Sequence, residues 1–143
     1  MQIGHLLRRK GGTVATIDGS QDVRAALATL AEHGIGALVV SADGRRIDGI
    51  LSERDIARGL HERGPELLGR PVSEVMTREV HTCVPGSGVT ELAQLMTDQR
   101  VRHVPVVEDG ALVGIVSIGD VVKARLDELE TERRQLVDYI QAG

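Results

Sequence analysis

The sequence predicts a mixed α/β (α+β) fold: two tandem β-α-β-β-α repeats packed about a pseudo-twofold axis, with a long C-terminal helix. Three observations predict it. The phrase GILSERD at residues 49–55 returns as GIVSIGD at residues 114–120. Each copy follows an Asp-Gly pair set between apolar runs, Asp43-Gly44 and Asp109-Gly110, which is a strong short-range signal for a hairpin. Each copy also passes from a short apolar run through Ser-x-x-Asp into a stretch of helical spacing, IARGL or VVKARL, the pattern of a buried strand feeding a capped helix.

The duplication extends well beyond the phrase. Displaced by 66 positions, Thr16 meets Thr82, Val23 meets Val89 and Val40 meets Val106. A one-residue insertion within RRID then reduces the displacement to 65, and Gly49, Ile50, Ser52 and Asp55 meet Gly114, Ile115, Ser117 and Asp120. The period is longer than that of solenoid repeats and two copies are too few for an open array, so two halves packed on each other are expected.

Along the chain, each repeat opens with a short apolar strand, TVATI or VHTCV, and turns at DGSQD or PGSG. A helix follows, VRAALATLAEHG or VTELAQLMTDQR, with apolar residues three and four apart. Two strands joined through the Asp-Gly turn come next, GALVV with IDGIL and HVPVV with ALVGIVS, and the closing helix begins at Ser-x-x-Asp. These signals divide the chain into a first repeat at residues 1–60, a linker with a short leading helix at 61–76, a second repeat at 77–125 and a helical extension at 126–143. Gly64-Pro65 and Arg70-Pro71 mark the linker, and residues 2–9 are expected to play the same leading part for the first repeat. In the last helix Val122, Leu126, Leu129, Arg133, Leu136 and Ile140 form one seam at alternating spacings of four and three. The seam is expected to pack on its own module or across a dimer.

Composition narrows the function. Aromatic residues are 1% of the 143, with Tyr139 alone and no Phe or Trp, so the core and any pocket must be aliphatic. A formal net charge of −4 argues against nucleic acid as a main partner, since such proteins carry a basic footprint. No run approaches the roughly 20 apolar residues of a membrane span, and a cytoplasmic protein is expected. Cys83 is the only cysteine and sits in an apolar run, which suits a buried inert thiol. The five histidines lack metal-ligand spacing, and Gly34-Ile35-Gly36 and Gly86-Ser87-Gly88 fit neither a dinucleotide fingerprint nor a nucleophile elbow. No catalytic residue, metal site or catalytic cofactor is expected, leaving a nucleotide hydrolase as the weaker enzymatic rival.

The repeat order, the Gly-aliphatic-aliphatic-Ser-x-x-Asp ending and the tandem arrangement resemble a CBS-domain pair, the Bateman module, over roughly residues 3–125. The whole is similar to small stand-alone bacterial proteins that carry such a pair and no catalytic domain. The resemblance implies two clefts between the repeats that take adenosine-containing ligands: AMP, ADP, ATP, S-adenosylmethionine or NAD. It also implies a homodimer and a regulated protein partner whose identity the sequence leaves open. Carried over by motif, one cleft joins Ile115, Ser117 and Asp120 to Thr16, Gly36 and Ala37. The other joins Ile50, Ser52, Arg54 and Asp55 to Thr82, Arg102 and His103, and is expected to attract phosphate more strongly.

The residue types suit that role. Isoleucine can clamp a purine, a helix N-terminus attracts phosphate, and an aspartate one turn in can accept hydrogen bonds from ribose hydroxyls. The same Ser-x-x-Asp also fits a capping box that needs no ligand. The expected function is therefore a non-catalytic adenine-nucleotide sensor acting through a ligand-dependent change of shape. Its alternative is a structural or protein-interaction module with vestigial clefts.

Overall fold

A computed structural model describes residues 1–143. The elements are α1 (Ile3–Lys10), β1 (Thr16–Ile17), α2 (Val23–His33), β2 (Ala37–Val40), β3 (Gly49–Ser52), α3 (Glu53–Arg63), α4 (Val89–Gln99), β4 (His103–Glu108), β5 (Ala111–Ser117) and α5 (Ile118–Ala142). Two 3-10 turns, Pro65–Gly69 and Val72–Glu74, lie between α3 and α4. In the first half β1 runs parallel to β2 and β2 antiparallel to β3, while in the second half β4 and β5 pair antiparallel. The duplicated β-α-β-β-α order is thus realised, with one difference. VHTCV forms only a single parallel bridge, Cys83 to Val106. Pro85, two residues on, has no N–H to continue a ladder.

The two Asp-Gly signals also resolve differently. Asp109 and Gly110 both have positive φ, 52° and 77°, which is the two-residue type I′ turn that matches strand twist. Asp43-Gly44 instead sits in a loop between Val40 and Gly49, where the Asp43 carboxylate accepts the N–H groups of Arg45 and Arg46 at 2.8 Å each. The inserted residue in RRID is spent on reach, because the Arg45 carbonyl accepts the Leu112 N–H of β5 at 2.8 Å. The first hairpin loop therefore ties the halves together.

Two aliphatic clusters form the core, and each borrows a segment from the other half. Leu92, Met96, Val104, Val116 and Val121 of the second half close around Ile3 and Leu6 of α1. Val23, Leu30, Leu38, Leu51 and Ile56 of the first half close around Leu67 and Val72 of the linker. Backbone hydrogen bonds fix both crossings: Ile3 N–H to the Ser87 carbonyl at 2.8 Å, and Val72 N–H to the Gln21 carbonyl at 2.7 Å. Residues 2–9 do not serve the first repeat, as their position suggested. Ile3 and Leu6 find their apolar partners in the second.

This exchange explains the glycine that opens each repeated phrase. A Cβ on Gly49 would stand 2.7 Å from the Met76 sulfur and 2.9 Å from the Thr77 carbonyl oxygen, while one on Gly114 would stand 2.7 Å from Cδ2 of Leu7. At Gly49 only glycine lets the crossing backbone lie this close to the strand, whereas at Gly114 the near atoms are the end of the Leu7 side chain.

α5 is capped at Ser117 and runs for 25 residues. It gives Val121 and Ala124 to the core, while Val122, Leu126, Leu129, Leu136 and Ile140 are 50–67% exposed. Packing of the seam on its own module is therefore overturned: the body takes the adjacent face. No helix is long and apolar enough to cross a membrane.

The glycine contacts predict an ordering. Gly49→Ala meets backbone and should cost about 1–3 kcal/mol, whereas Gly114→Ala meets only a side-chain end that can shift and should cost less. Urea denaturation of both variants measures this. Equal costs would show that close approach at Gly49 is not the constraint.

Candidate functional site

Both Ser-x-x-Asp steps are capping boxes, so the local reading of the sequence holds at both helix starts. Ser52 Oγ accepts the Asp55 N–H at 3.2 Å, and Asp55 Oδ2 accepts the Ser52 N–H at 2.9 Å. Ser117 and Asp120 repeat the pair at 3.2 and 2.9 Å. Capping uses one oxygen of each carboxylate and leaves acceptor capacity on the other, since an ionised carboxylate offers about four lone-pair positions. Asp55 Oδ1 accepts the Thr77 hydroxyl at 3.3 Å.

The corner opposite each cap is built alike in both halves. Glu53, first residue of α3, donates its N–H to the Gly36 carbonyl at 3.0 Å, and Ile118, first residue of α5, donates to the Arg102 carbonyl at 2.8 Å. These bonds hold the residues just before β2 and β4 against the helix starts.

A cavity of about 260 Å³ lies at the first cap. Its walls bring together Ile50, Ser52, Arg54 and Asp55 from the first half with Arg102 and His103 from the second, as the sequence grouped them. Gly36, grouped by sequence with the other cleft, lines this one: a Cβ on it would stand 3.4 Å from the His103 ring. Thr82 is exposed and not among the lining residues. Several others join unforeseen, among them Arg58 on α3, Thr77 and His81 on the segment leading to α4, and Arg100 at the end of α4. Burial pulls the pKa of His103 below 6.5 and Lys10 and Arg102 add to it, while Glu53 and Asp120 oppose. The environment of His103 thus favours the neutral ring.

The second cap is arranged otherwise. Lys10 Nζ, from the end of α1, donates to Asp120 Oδ2 at 2.8 Å and to the Ile115 carbonyl at 2.9 Å. The cavity at Asp120, also about 260 Å³, lies between α1 and α5, and Arg9, Lys123 and Asp127 line it beside Lys10. Of the residues the sequence grouped in this cleft only Asp120 lines the cavity; Ile115, Ser117, Thr16, Gly36 and Ala37 are not in its walls. Thr16 is half-buried in β1, and Ala37 is buried at the start of β2, paired with Ser52. The physical reason is the crossing of α1, which delivers an ammonium onto the carboxylate.

Burial alone would raise the pKa of Asp120, but the Lys10 ammonium and the Ser117 amide outweigh it and hold the group below 3.8. Burial pushes the Cys83 thiol up to about 11, so it is protonated at neutral pH and a poor nucleophile. No three His, Cys, Asp or Glu side chains converge as a metal-ligand set.

Two β-α-β-β-α halves that exchange their leading segments and face each other across paired Ser-x-x-Asp corners define a duplicated cleft module. The family model described as CBS domain matches residues 6–62 and again residues 72–127; the chain belongs to this family and carries a pair of its domains. A mitochondrial CBS domain-containing protein of Arabidopsis thaliana, CBSX3, is 40% identical over 122 residues, which are 82% of this chain and 59% of that protein. The chain thus spans under two thirds of that relative's length. Among solved structures, a CBS-domain containing protein from Agrobacterium tumefaciens superposes with a TM-score of 0.84 at 44% identity, covering 87% of this chain and 99% of that one. A CBS domain protein from Pyrobaculum aerophilum complexed with AMP gives 0.78 at 29% identity, covering 92% and 99%. A CBS domain pair in complex with 5′-methylthioadenosine and S-adenosyl-L-methionine gives 0.78 at 25% identity, covering 90% and 98%.

The Lys10–Asp120 pair makes a pH-dependent prediction. A carboxylate whose folded pKa is depressed adds stability above its unfolded value, and that stability is lost as pH falls through the folded value. With both side chains partly exposed, Lys10→Met should lower the unfolding free energy by about 0.5–1 kcal/mol at pH 7. The gap to wild type should narrow as the pH falls below the ordinary carboxylate range and Asp120 takes up its proton. A gap in urea denaturation that is the same in acid as at neutral pH would show that the pair contributes nothing.

Proposed function

We propose that the protein is a non-catalytic sensor of an adenine nucleotide, AMP, ADP, ATP or NAD, which binds in the cleft at Asp55. One observation carries this reading. A single cavity collects Ile50, the Ser52 cap, Asp55, Arg102 and His103 from the two halves. Ile50 offers an apolar face for a purine. Asp55, fixed by its cap, offers Oδ1 to ribose hydroxyls, and guanidinium groups offer paired donors to phosphate. The adenosine-containing ligands held by two of its structural neighbours support the same class of ligand. Because the walls come from both halves, a bound nucleotide would fix their relative position, and that change would be read by a regulated protein.

The cleft at Asp120 is the weaker candidate. Lys10 shares Oδ2 of Asp120 with the cap, so an ammonium stands beside any ribose there, and only Asp120 of the residues the sequence grouped in this cleft lines its cavity. One nucleotide per chain is expected, at Asp55.

The chain also forms a homodimer in this reading, with the α5 seam inside the interface. Val122, Leu126, Leu129, Leu136 and Ile140 stand exposed at the spacing of one helix stripe, and covering them with a second copy removes them from water. The alternative is an interaction module with unused clefts, and ligand binding decides between the two.

For a nucleotide at 100 times its dissociation constant, linkage gives about 2.7 kcal/mol, a rise of several degrees in Tm for a domain of this size. Asp55→Asn, which keeps an acceptor for the Ser52 amide, should abolish most of that rise, whereas Asp120→Asn should not. If AMP, ADP, ATP, NAD and S-adenosylmethionine at millimolar levels all leave Tm unchanged, the sensing reading is lost and the interaction module stands. Light scattering should give twice the chain mass of 15.3 kDa, and the double variant Leu126→Glu, Leu136→Glu should return it to the single mass. A wild-type chain that scatters as a monomer rules out the dimer.

A further inference from the structure

The duplication supplies an internal control for the cleft at Asp55. Four arginines line that cleft: Arg54 and Arg58 on α3, Arg100 at the end of α4, and Arg102 before β4. Their counterparts in the other half, by the displacements of 65 and 66, are Gly119, Lys123, Gly34 and Gly36. Three of the four positions therefore fold equally well with no side chain at all. None of the four guanidinium groups is among the ion pairs of the chain, although Glu53 and Glu79 share the same walls.

Arg100 is the most telling of them. It caps α4 in the left-handed conformation, φ 55° and ψ 40°, and Gly34 caps α2 at φ 61° and ψ 40°. The two corners share their next hydrogen bond as well: Val101 N–H to the Met96 carbonyl and Ile35 N–H to the Leu30 carbonyl, both 3.1 Å. The backbone here is one that glycine adopts freely and an L side chain adopts at a cost. The first half has the unstrained residue, and the second half keeps a strained arginine whose side chain lines the cleft. Strain of this kind persists where the side chain has a task.

Resting on the reading of the Asp55 cleft as a nucleotide site, we infer that Arg100 makes this cleft selective for a nucleoside triphosphate over a monophosphate. Arg102 and the N-terminal turn of α3 lie beside Asp55 and suit the phosphate nearest the ribose. Arg100, Arg54 and Arg58 line the same cleft, and Arg54, Arg100 and Arg102 also line the adjoining depression together with Met96 and Ile118. A phosphate chain running that way exchanges water for a series of charge-assisted hydrogen bonds that a monophosphate is too short to make.

The test is calorimetric titration of adenosine, AMP and ATP into wild type, Arg100→Gly and Arg100→Asn, with melting curves of each protein without ligand. Arg100→Gly should raise Tm by about 3 °C through relief of the left-handed strain. It should also weaken ATP binding about 10- to 100-fold, the loss of one or two hydrogen bonds to a charged group. AMP and adenosine should change less than about threefold, since their phosphate or hydroxyl ends short of Arg100. Arg100→Asn, which also tolerates the left-handed region, should show the same loss for ATP. A higher Tm with ATP affinity unchanged would reduce Arg100 to a strained cap. Equal losses for AMP and ATP would mean that it shapes the cleft rather than reads the phosphate chain. Wild type binding AMP as tightly as ATP overturns the selectivity but leaves the nucleotide site standing, whereas wild type binding none of the three overturns both.

Discussion

The exchange of leading segments is the constraint on which the rest of the structure depends. Neither half closes its own core: α1 supplies Ile3 and Leu6 to the second, and the linker supplies Leu67 and Val72 to the first. Each of these residues is at most 5% exposed, and fully burying an aliphatic side chain is worth about 1.5–3 kcal/mol. Separating the halves would strand all four. Two repeats too small to stand alone thus become one cooperative unit, and each crossing must pass over a strand, at the start of β3 where Gly49 admits it and within β5 where Gly114 does. The glycine of the repeated phrase belongs to the core before it belongs to any cleft.

The same crossings decide what stands beside each aspartate. One brings Thr77, whose hydroxyl reaches Asp55 at 3.3 Å, and the other brings Lys10, whose ammonium reaches Asp120 at 2.8 Å. The hydroxyl is neutral and lies on the oxygen the Asp55 cap leaves over, whereas the ammonium shares the capping oxygen of Asp120 and brings a positive charge to it. Two caps of matching geometry, 3.2 and 2.9 Å in each, therefore offer different chemistry. Capping and ligand holding are also compatible, since the cap occupies one oxygen and fixes the direction of the other. A carboxylate positioned this way loses little conformational freedom when a ligand arrives.

Much of this was legible in the sequence, and the illegible parts share a cause. The order of helices and strands and both caps depend on local signals and on the duplication, which periodicity and turn chemistry encode directly. The grouping of Ile50, Ser52, Arg54 and Asp55 with Arg102 and His103 came from the resemblance to a CBS-domain pair. Lys10, Thr77, Arg58 and Arg100 were missed because their places depend on a crossing and on a helix cap, neither of which changes the residue pattern. Gly36 went to the wrong cleft for a related reason. It lines the cleft at Asp55 with the His103 ring packed beside it, and the motif alone gives no direction. The strand expected at VHTCV shrank to one bridge because apolar character promises burial, not a ladder partner. The α5 seam was readable as a stripe, but which of two adjacent stripes the body would take was decided by packing at Val121 and Ala124.

The asymmetry of the clefts has a mechanical corollary. Arg102 lines the cleft at Asp55 with its side chain, and its carbonyl accepts the first N–H of α5 at 2.8 Å. The helix that begins at this bond runs 25 residues and carries the exposed seam. Cleft and seam are therefore linked through one residue and one rigid element, with no flexible loop between them. On the opposite side the Gly36 carbonyl makes the matching bond to Glu53 at 3.0 Å, but the helix it starts, α3, ends at Arg63 and turns at Gly64-Pro65 into the linker. Of the two helices that open at a Ser-x-x-Asp corner, only α5 projects past the body, and its corner is the one built on an arginine of the cleft. At about 1.5 Å of rise per residue, the helix sets Leu136 and Ile140 far from the corner that the Arg102 carbonyl holds.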